Sequence, residues 1–424
     1  MGLCRLDKAE GAPITRQVHQ MAEEGLRVLA VAAAPLGDGP LPDDPRDFAF
    51  SFLGLAGFED PVRASVPAAV AEARAAGIRV KMVTGDFPAT ASAIARQAGI
   101  DAAEVVTGEQ LQTADDARLR HWAQTAGVFA RVRPEQKLRL VDALQAAGET
   151  VAMTGDGVND APALKSADVG IAMGQRGTDV ARESADIVLL EDDFGRIVEA
   201  VQLGRRIFDN LRKVIIYIAA IHVPIAGLSF LPIVFGLPVA IWPLHVVILE
   251  MVVDSMCSLA FEDTPAEPDI MRRRPRPRSE SVAGLPQILF GLVQGTVVLA
   301  AAFGIYATAL RSGVDVDVAR TMALLAAVLG DLALVLSNAS QHSVFERWAL
   351  PRPQPLFLPI AAATLALLTL AVAVPGLRQI FQFGVPSLAQ IAVVAAVSGL
   401  AFMLIEGLKL LPRVRRVTGA VAGV

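Results

Sequence analysis

Thr150-Val151-Ala152-Met153-Thr154-Gly155-Asp156-Gly157-Val158-Asn159-Asp160-Ala161-Pro162 is the stretch on which the reading of this chain turns. Residues 150–153 form a short apolar run of β type, and the glycines behind it permit a tight turn. In an open parallel sheet, ligands bind beyond the carboxyl ends of the strands, so Asp156 and Asp160 emerge where a site belongs. Two carboxylates four residues apart suit a hard, oxygen-seeking ion such as magnesium, and Asn159 adds a neutral donor for a phosphate oxygen. The plainer reading is a surface Asp-Gly turn with an aspartate capping the next helix. It accounts for four of these residues, not for residues 154–162 together.

Two other strand-to-turn signals lie upstream. Met82-Val83-Thr84-Gly85-Asp86 precedes a helix starting near Pro88, so the Thr84 hydroxyl and the backbone amides around Gly85 and Asp86 would face a phosphate at a helix amino terminus. By itself it reads equally well as a capping turn. In Arg131-Val132-Arg133-Pro134-Glu135-Gln136-Lys137, Pro134 opens a helix and Lys137 sits in its first turn. A cation there opposes the helix dipole, which points to a neighbouring anion; a solvated lysine is the alternative. A threonine at one strand end, a lysine on a following helix and an aspartate pair at another strand end form a phosphoryl-transfer constellation.

Around these motifs, short apolar runs at 50–55, 79–83, 150–153 and 187–190 alternate with Ala-rich helical patterns. That alternation predicts an α/β doubly wound parallel sheet over 46–195. The Pro-, Gly- and Asp-rich stretch 35–45 separates it from a leading segment, 1–45. The chain changes character near Leu211, and from Val214 onward apolar runs long enough to cross about 30 Å of hydrocarbon recur. Six spans are expected, at 211–235, 238–261, 284–310, 318–339, 355–376 and 386–410, forming a transmembrane helical bundle over 214–424. Arginines 272, 273, 274, 276 and 278, Arg347 and Arg352, and the tail's Lys409, Arg413, Arg415 and Arg416 fall on one side, which puts the α/β domain and the tail in the cytoplasm.

Composition agrees with a membrane protein: 53% of the 424 residues are hydrophobic, well above an ordinary soluble enzyme. Cys4 and Cys257 cannot build a disulfide framework. The net charge of -5 and the placing of the arginine cluster beside an apolar segment give no nucleic-acid partner.

The string 154–162 resembles a signature of P-type ATPases, whose phosphorylation domain has the haloacid-dehalogenase-like fold. Similar strings occur at Gly57 to Arg63, Thr84-Gly85-Asp86, Arg131 to Lys137, Val169 to Gly174 and Pro268-Asp269-Ile270-Met271, so the resemblance covers most of the chain. It implies that Asp156 binds magnesium with Asp160 in support, and that Thr84, Lys137 and Asn159 hold the phosphoryl group. Arg63 and Arg131, with Gly85 and Asp86, would lie on the ATP side. Residues 1–45 would be the tail end of a nucleotide-binding domain and 196–213 a stalk helix. The family's Asp-Lys-Thr-Gly-Thr nucleophile motif is absent from the sequence, as is its Lys-Gly-Ala-Pro segment. The expectation is therefore a fragment or split subunit that needs a separate N-terminal half and forms no aspartyl phosphate alone.

In the apolar half, Glu250 and Asp254 stand four apart, on one helical face, and are expected to bind the transported inorganic cation. Asp331 is a further candidate. By the resemblance, His222 takes a place where calcium pumps usually have Asn and Ile225 one where they have a carboxylate. Membrane lipid, a multi-pass topology and a plasma membrane complete the expectation. Against the pump stand a non-catalytic membrane partner or remnant, which the missing nucleophile allows, and a membrane-bound phosphatase, which would need an acidic nucleophile ahead of Thr84.

Overall fold

The computed structural model describes residues 2–4, 6–35, 44–250, 255–262, 264–278, 280–282, 284–340, 343–347, 356–412 and 414. It divides into two units, Met1–Val201 with Met271–Arg278, and Gln202–Ile270 with Ser279–Val424.

The first unit carries eight strands among the described residues. β1 (Arg27–Ala33) and β2 (Ser51–Phe58) pair antiparallel, from Arg27 opposite Phe58 to Ala33 opposite Ser51, with a register shift between Val31 and Ala32. The expected run 50–55 therefore belongs to a separate two-stranded sheet and not to the parallel one. A strand inside a parallel α/β sheet is covered on both faces, whereas β2 leaves Leu53 66% and Phe58 56% exposed. Helix Lys8–Glu23 leads into this hairpin; the Asp7 carboxylate caps it by accepting from the Glu10 amide at 2.7 Å.

The other six strands are parallel, in two ladders of three. β3 (Met82–Val83), β4 (Val105–Thr107) and β5 (Val128–Ala130) run in the order β3-β5-β4; β6 (Ala152–Gly155), β7 (Val169–Met173) and β8 (Ile187–Leu189) run β6-β7-β8. The parallel expectation holds, but the ladder comes in two pieces. The central strands are the dry ones: Val128, Phe129 and Ala130 are fully buried, as are Ile171 and Ala172. The strands that end in the conspicuous motifs, β3 and β6, are edge strands and only partly buried.

In the second unit, four helices among the described residues are long and apolar enough to cross a membrane: Gly195–Val234, which begins in the first unit, Leu285–Arg311, Val316–Asn338 and Leu388–Leu408. Phe357–Ala373 is a shorter apolar helix of 17 residues. The helix Gly195–Val234 has 40 residues, about 60 Å at 1.5 Å per residue, so the expected stalk 196–213 and the first span are one element. The expected span 238–261 is irregular: a helix Pro243–Ile248, a π turn at Leu249 and Glu250, then a helix Ser255–Glu262 after residues that lie outside those described. Asp254 is among the latter.

Helix Leu285–Arg311 meets Gly195–Val234 through Gly291 and Gly295. A Cβ on Gly291 would stand 2.5 Å from the Ile216 carbonyl oxygen, and one on Gly295 2.1 Å from that of Ala220. This small-xxx-small spacing lets two backbones touch where hydrocarbon supplies no hydrophobic drive. Val316–Asn338 is the most enclosed of the four, with Arg320, Asp331 and Asn338 all under 8% exposed. Such polar groups require partners. Arg320 donates to the carbonyls of Val239 and Gln382 and pairs with Asp317 at 2.5 Å; the Asn338 amide donates to Gln294 at 3.1 Å.

Candidate functional site

The candidate site grows from the carboxyl ends of β3 and β6. Beyond β3 the ladder continues one residue, since the Thr84 amide donates to the Phe129 carbonyl at 2.9 Å and Val132 donates to that of Thr84 at 3.0 Å. The Thr84 hydroxyl donates to Asp86 Oδ2 at 2.9 Å and accepts from the Asp86 amide at 3.1 Å. Arg131 donates its amide to the Asp86 carbonyl, holds a left-handed φ of 55°, and lays its guanidinium over the Phe87 ring at 5.6 Å. Thr84, Gly85, Asp86 and Arg131 thus share one hydrogen-bonded turn. A non-glycine residue at positive φ is uncommon and is worth a functional explanation.

Beyond β6, Asp156 leads into a 3-10 turn over Val158–Asp160. Asp160 is 6% exposed, and its Oδ1 accepts from Lys137 Nζ at 2.5 Å. The contact is possible because Gly155 has no side chain: a Cβ there would lie 2.5 Å from the Asp160 Cβ. Lys137 stands in the first turn of helix Pro134–Ala146. That helix start is held by the buried Gln136, whose Oε1 accepts from the Arg133 amide at 2.9 Å and whose Nε2 donates to the Gly108 carbonyl at 2.7 Å. Asp156 and Asn159 are exposed, and the Asp156 carboxylate has no partner among the described residues; only its backbone carbonyl is engaged, by the Thr178 amide at 2.8 Å.

The donor set fits magnesium of the kind that keeps most of its water. Asp156 offers an uncommitted carboxylate, Asp160 a second one braced by Lys137, and no third His, Cys, Asp or Glu side chain joins them among the described residues. Magnesium is commonly held by one or two carboxylates plus waters and substrate phosphates.

In the second unit, His222 Nε2 stands 3.5 Å from Glu250 Oε1, joining the long helix to the π turn. Asp331, 2% exposed, lies within Val316–Asn338. Residues 15–168 match the family described as haloacid dehalogenase-like hydrolase, and residues 238–411 match cation transporting ATPase, C-terminus. The chain is 35% identical over 404 residues to calcium-transporting ATPase 1 of Yarrowia lipolytica, an overlap of 93% of this chain and 43% of that protein. It is 40% identical over 380 residues to cation-transporting ATPase pma1 of Synechocystis, covering 87% of this chain and 41% of the relative. With calcium-transporting ATPase 1 of Bacillus cereus it shares 39% identity over 301 residues, covering 70% and 34% respectively.

The chain belongs to the P-type cation-transporting ATPases. It spans less than half the length of these curated relatives.

In this P-type ATPase chain Arg63 donates to the Asp192 carbonyl at the junction between the exit of β2 and the start of helix Gly195–Val234, and among the described residues no hydrogen bond joins it to Thr84, Lys137, Asp156 or Asp160. The same junction holds Asp192, at φ 51°, whose carboxylate accepts from the amides of Gln175 and Arg176 at 3.0 and 2.9 Å. Burial works against that charge, yet the amides of Gln175, Arg176 and Gly174, with Arg63, hold the Asp192 carboxyl below its usual range. Asp193 is lowered as well, by the Gly195 amide and the Ser65 hydroxyl. Sequence reasoning passed over Gln136 and Asp192. Gln136 three residues after the helix-capping position was a readable capping signal, whereas nothing local announces Asp192.

Proposed function

We propose that this chain supplies the magnesium- and phosphate-handling face and the carboxyl-terminal half of the ion path of a membrane cation pump that works through an aspartyl phosphate, with ATP as substrate. The observation that carries the reading is the position of β3 and β6. Each carries a site motif at its carboxyl end, yet each is the open edge of its ladder, while the most buried strands, β5 and β7, are the central ones. In open α/β sheets the ligand sits at a switch point near the middle of the sheet, so both edges are suited to receive further parallel strand from a segment outside these 424 residues. That segment would bring the nucleophile aspartate.

In the completed pump the carboxylate of that aspartate attacks the γ-phosphorus of ATP, the bond to the bridging oxygen of ADP breaks, and an acyl phosphate forms; water later cleaves it, releasing phosphate. Lys137 and the Thr84 hydroxyl, freed from Asp86, would donate to the phosphoryl oxygens, with Asn159 as a further donor. Asp160 holds Lys137 Nζ in place at 2.5 Å. Magnesium, when bound at Asp156 and Asp160, supplies neutralisation of the phosphoryl oxygens. Arg131, Gly85 and Asp86 would shape the nucleotide side, and Arg63 would act from the β2 junction. Glu250 and Asp254 would contact the transported cation. The exposed apolar residues of β1 and β2, with Leu29, Val31 and Leu53 all more than 40% exposed, suit the remainder of a nucleotide-binding domain. A bacterial or other plasma membrane is the simplest setting.

The test is phosphorylation from γ-labelled ATP. The chain alone should take up no acid-stable label. Mixed with a relative's N-terminal half carrying the Asp-Lys-Thr-Gly-Thr motif, it should produce label that Asp156→Asn abolishes. Label on this chain alone would overturn the reading.

A further inference from the structure

Helix Pro134–Ala146 buries one residue that does not suit an apolar face. Gln136, Leu140 and Ala143 stand at i, i+4 and i+7 and are 7, 4 and 7% exposed, and Leu140 and Ala143 pack with Val106 of β4 and Phe129 of β5. An apolar side chain at position 136 would continue that stripe, whereas a buried amide destabilises the fold unless it finds hydrogen-bond partners. Gln136 finds two.

Its Oε1 accepts from the Arg133 amide at 2.9 Å. That bond caps the helix, and a glutamate would make it equally well. Its Nε2 donates to the Gly108 carbonyl at 2.7 Å, a bond that capping does not require. This second bond joins the segment behind the central strand β5 to the first residue behind β4. Gly108 permits the approach, since a Cβ there would stand 2.1 Å from the Arg131 carbonyl oxygen and 2.9 Å from Gln136 Oε1. One turn further on, the Arg139 guanidinium donates to the Leu111 carbonyl at 3.3 Å and ties the same two segments again.

Lys137 is the next residue. Its Nζ crosses from the β3-β5-β4 ladder to Asp160 behind β6, in the other ladder, and lies 2.5 Å from Oδ1. A lysine stem is flexible, so the place of its ammonium depends on how firmly the backbone at its root is held. A misplacement of about 1 Å can cost about 10²-fold in rate. Resting on the pump reading above, we propose that Gln136 is a positioning residue for phosphoryl transfer: through the Gly108 carbonyl it fixes the first turn of the helix and so sets Lys137 Nζ against the transferred phosphoryl group. Both ends of its buried amide are committed, so it acts through Lys137 and not on the substrate. Losing the bond to Gly108 therefore lowers the saturating rate and spares the ATP requirement.

The experiment has two arms. In the full chain mixed with a relative's N-terminal half, the rate of label uptake from γ-labelled ATP is followed against ATP concentration. Gln136→Met should lower the saturating rate at least about tenfold and leave the half-saturating ATP within about twofold. Gln136→Glu keeps the cap but, once ionised, offers the Gly108 carbonyl no donor, so its deficit against wild type should deepen as pH rises from about 6 to 8. A residue that only caps the helix would leave Gln136→Glu equal to wild type throughout, and that result overturns the proposal, as does an unchanged saturating rate in Gln136→Met. In the chain alone, the coupling between Lys137 and Asp160, read from urea unfolding of the two single variants and the double variant, should fall by at least about half once Gln136→Met is added. Unchanged coupling overturns the proposal too. Should Gln136→Met not fold by circular dichroism, Gln136→Glu at about pH 8 takes its place in both arms with the same expectations. The two readings fail separately: no label even with wild type, beside the expected loss of coupling, refutes the pump, whereas label in wild type with unchanged coupling refutes the positioning role alone.

Discussion

Replacing Lys137 by methionine isolates the most informative contact in the α/β unit. Lys137 Nζ lies 2.5 Å from Asp160 Oδ1, and the two side chains are 17% and 9% exposed. Methionine keeps the hydrocarbon stem and removes the charge. Asp160 then retains the Gly157 amide at 3.4 Å, a weak acceptor contact for a buried carboxylate. Removing one partner of a buried pair costs about 3–5 kcal/mol, and the residual exposure of Lys137 puts the expected loss near the lower end, about 3 kcal/mol. Asp160→Asn in the Lys137→Met background removes the orphaned charge while keeping the Gly157 contact, so it should restore at least half of the loss. The coupling energy from the four proteins should then be about 1.5 kcal/mol or more. Urea unfolding followed through the buried Trp122, with Trp242 and Trp348 replaced by phenylalanine, reads this unit within the full chain. If the single and double variants both lie within about 0.5 kcal/mol of wild type, a typical surface result, the buried pair does not exist and the phosphate-site geometry falls with it.

Gly295→Val should separate the helices Gly195–Val234 and Leu285–Arg311, because its first carbon would stand 2.1 Å from the Ala220 carbonyl oxygen; overpacking of this kind costs about 1–3 kcal/mol and should lower thermal stability in detergent, whereas the same change at Gly304, where a Cβ meets nothing within 4 Å, should not. Lys81 offers a pH test. Burial, then the neighbouring Arg79, lowers its ammonium to about 8 from 10.5, while Nζ donates to the carbonyls of Ala126 at 2.6 Å and Gln124 at 3.2 Å. Between those two values the unfolded chain holds a proton that the folded chain has released, so stability should rise from pH 8 toward 10.5, and Lys81→Met should flatten that rise in denaturant melts.

Much of the α/β architecture could be read locally. The apolar runs ending at Met153 and Val83 and the glycines behind them fix short strands that stop in turns, because β propensity and glycine's conformational freedom act over a few residues. The run 50–55 misled for the same reason: its composition suits a parallel strand, but its pairing with β1 depends on residues some 20 positions away. The arrangement at Arg63 depends on Asp192, 129 positions later, and no local pattern records such a distance. The π turn at Glu250 was equally hidden, since a run of apolar residues reads as a regular helix.

By itself the sequence determined that an α/β region with phosphate-type turns precedes a series of apolar helices, since hydrophobic period and length are properties of neighbouring residues. Tertiary structure alone decided that Lys137 reaches Asp160 across 23 positions, that β3 and β6 end as open edges, and that an imidazole nitrogen faces Glu250. Those facts depend on which distant segments fold back on one another. Side-chain charge and hydrogen bonding act across such contacts in space, and only the folded chain sets those distances.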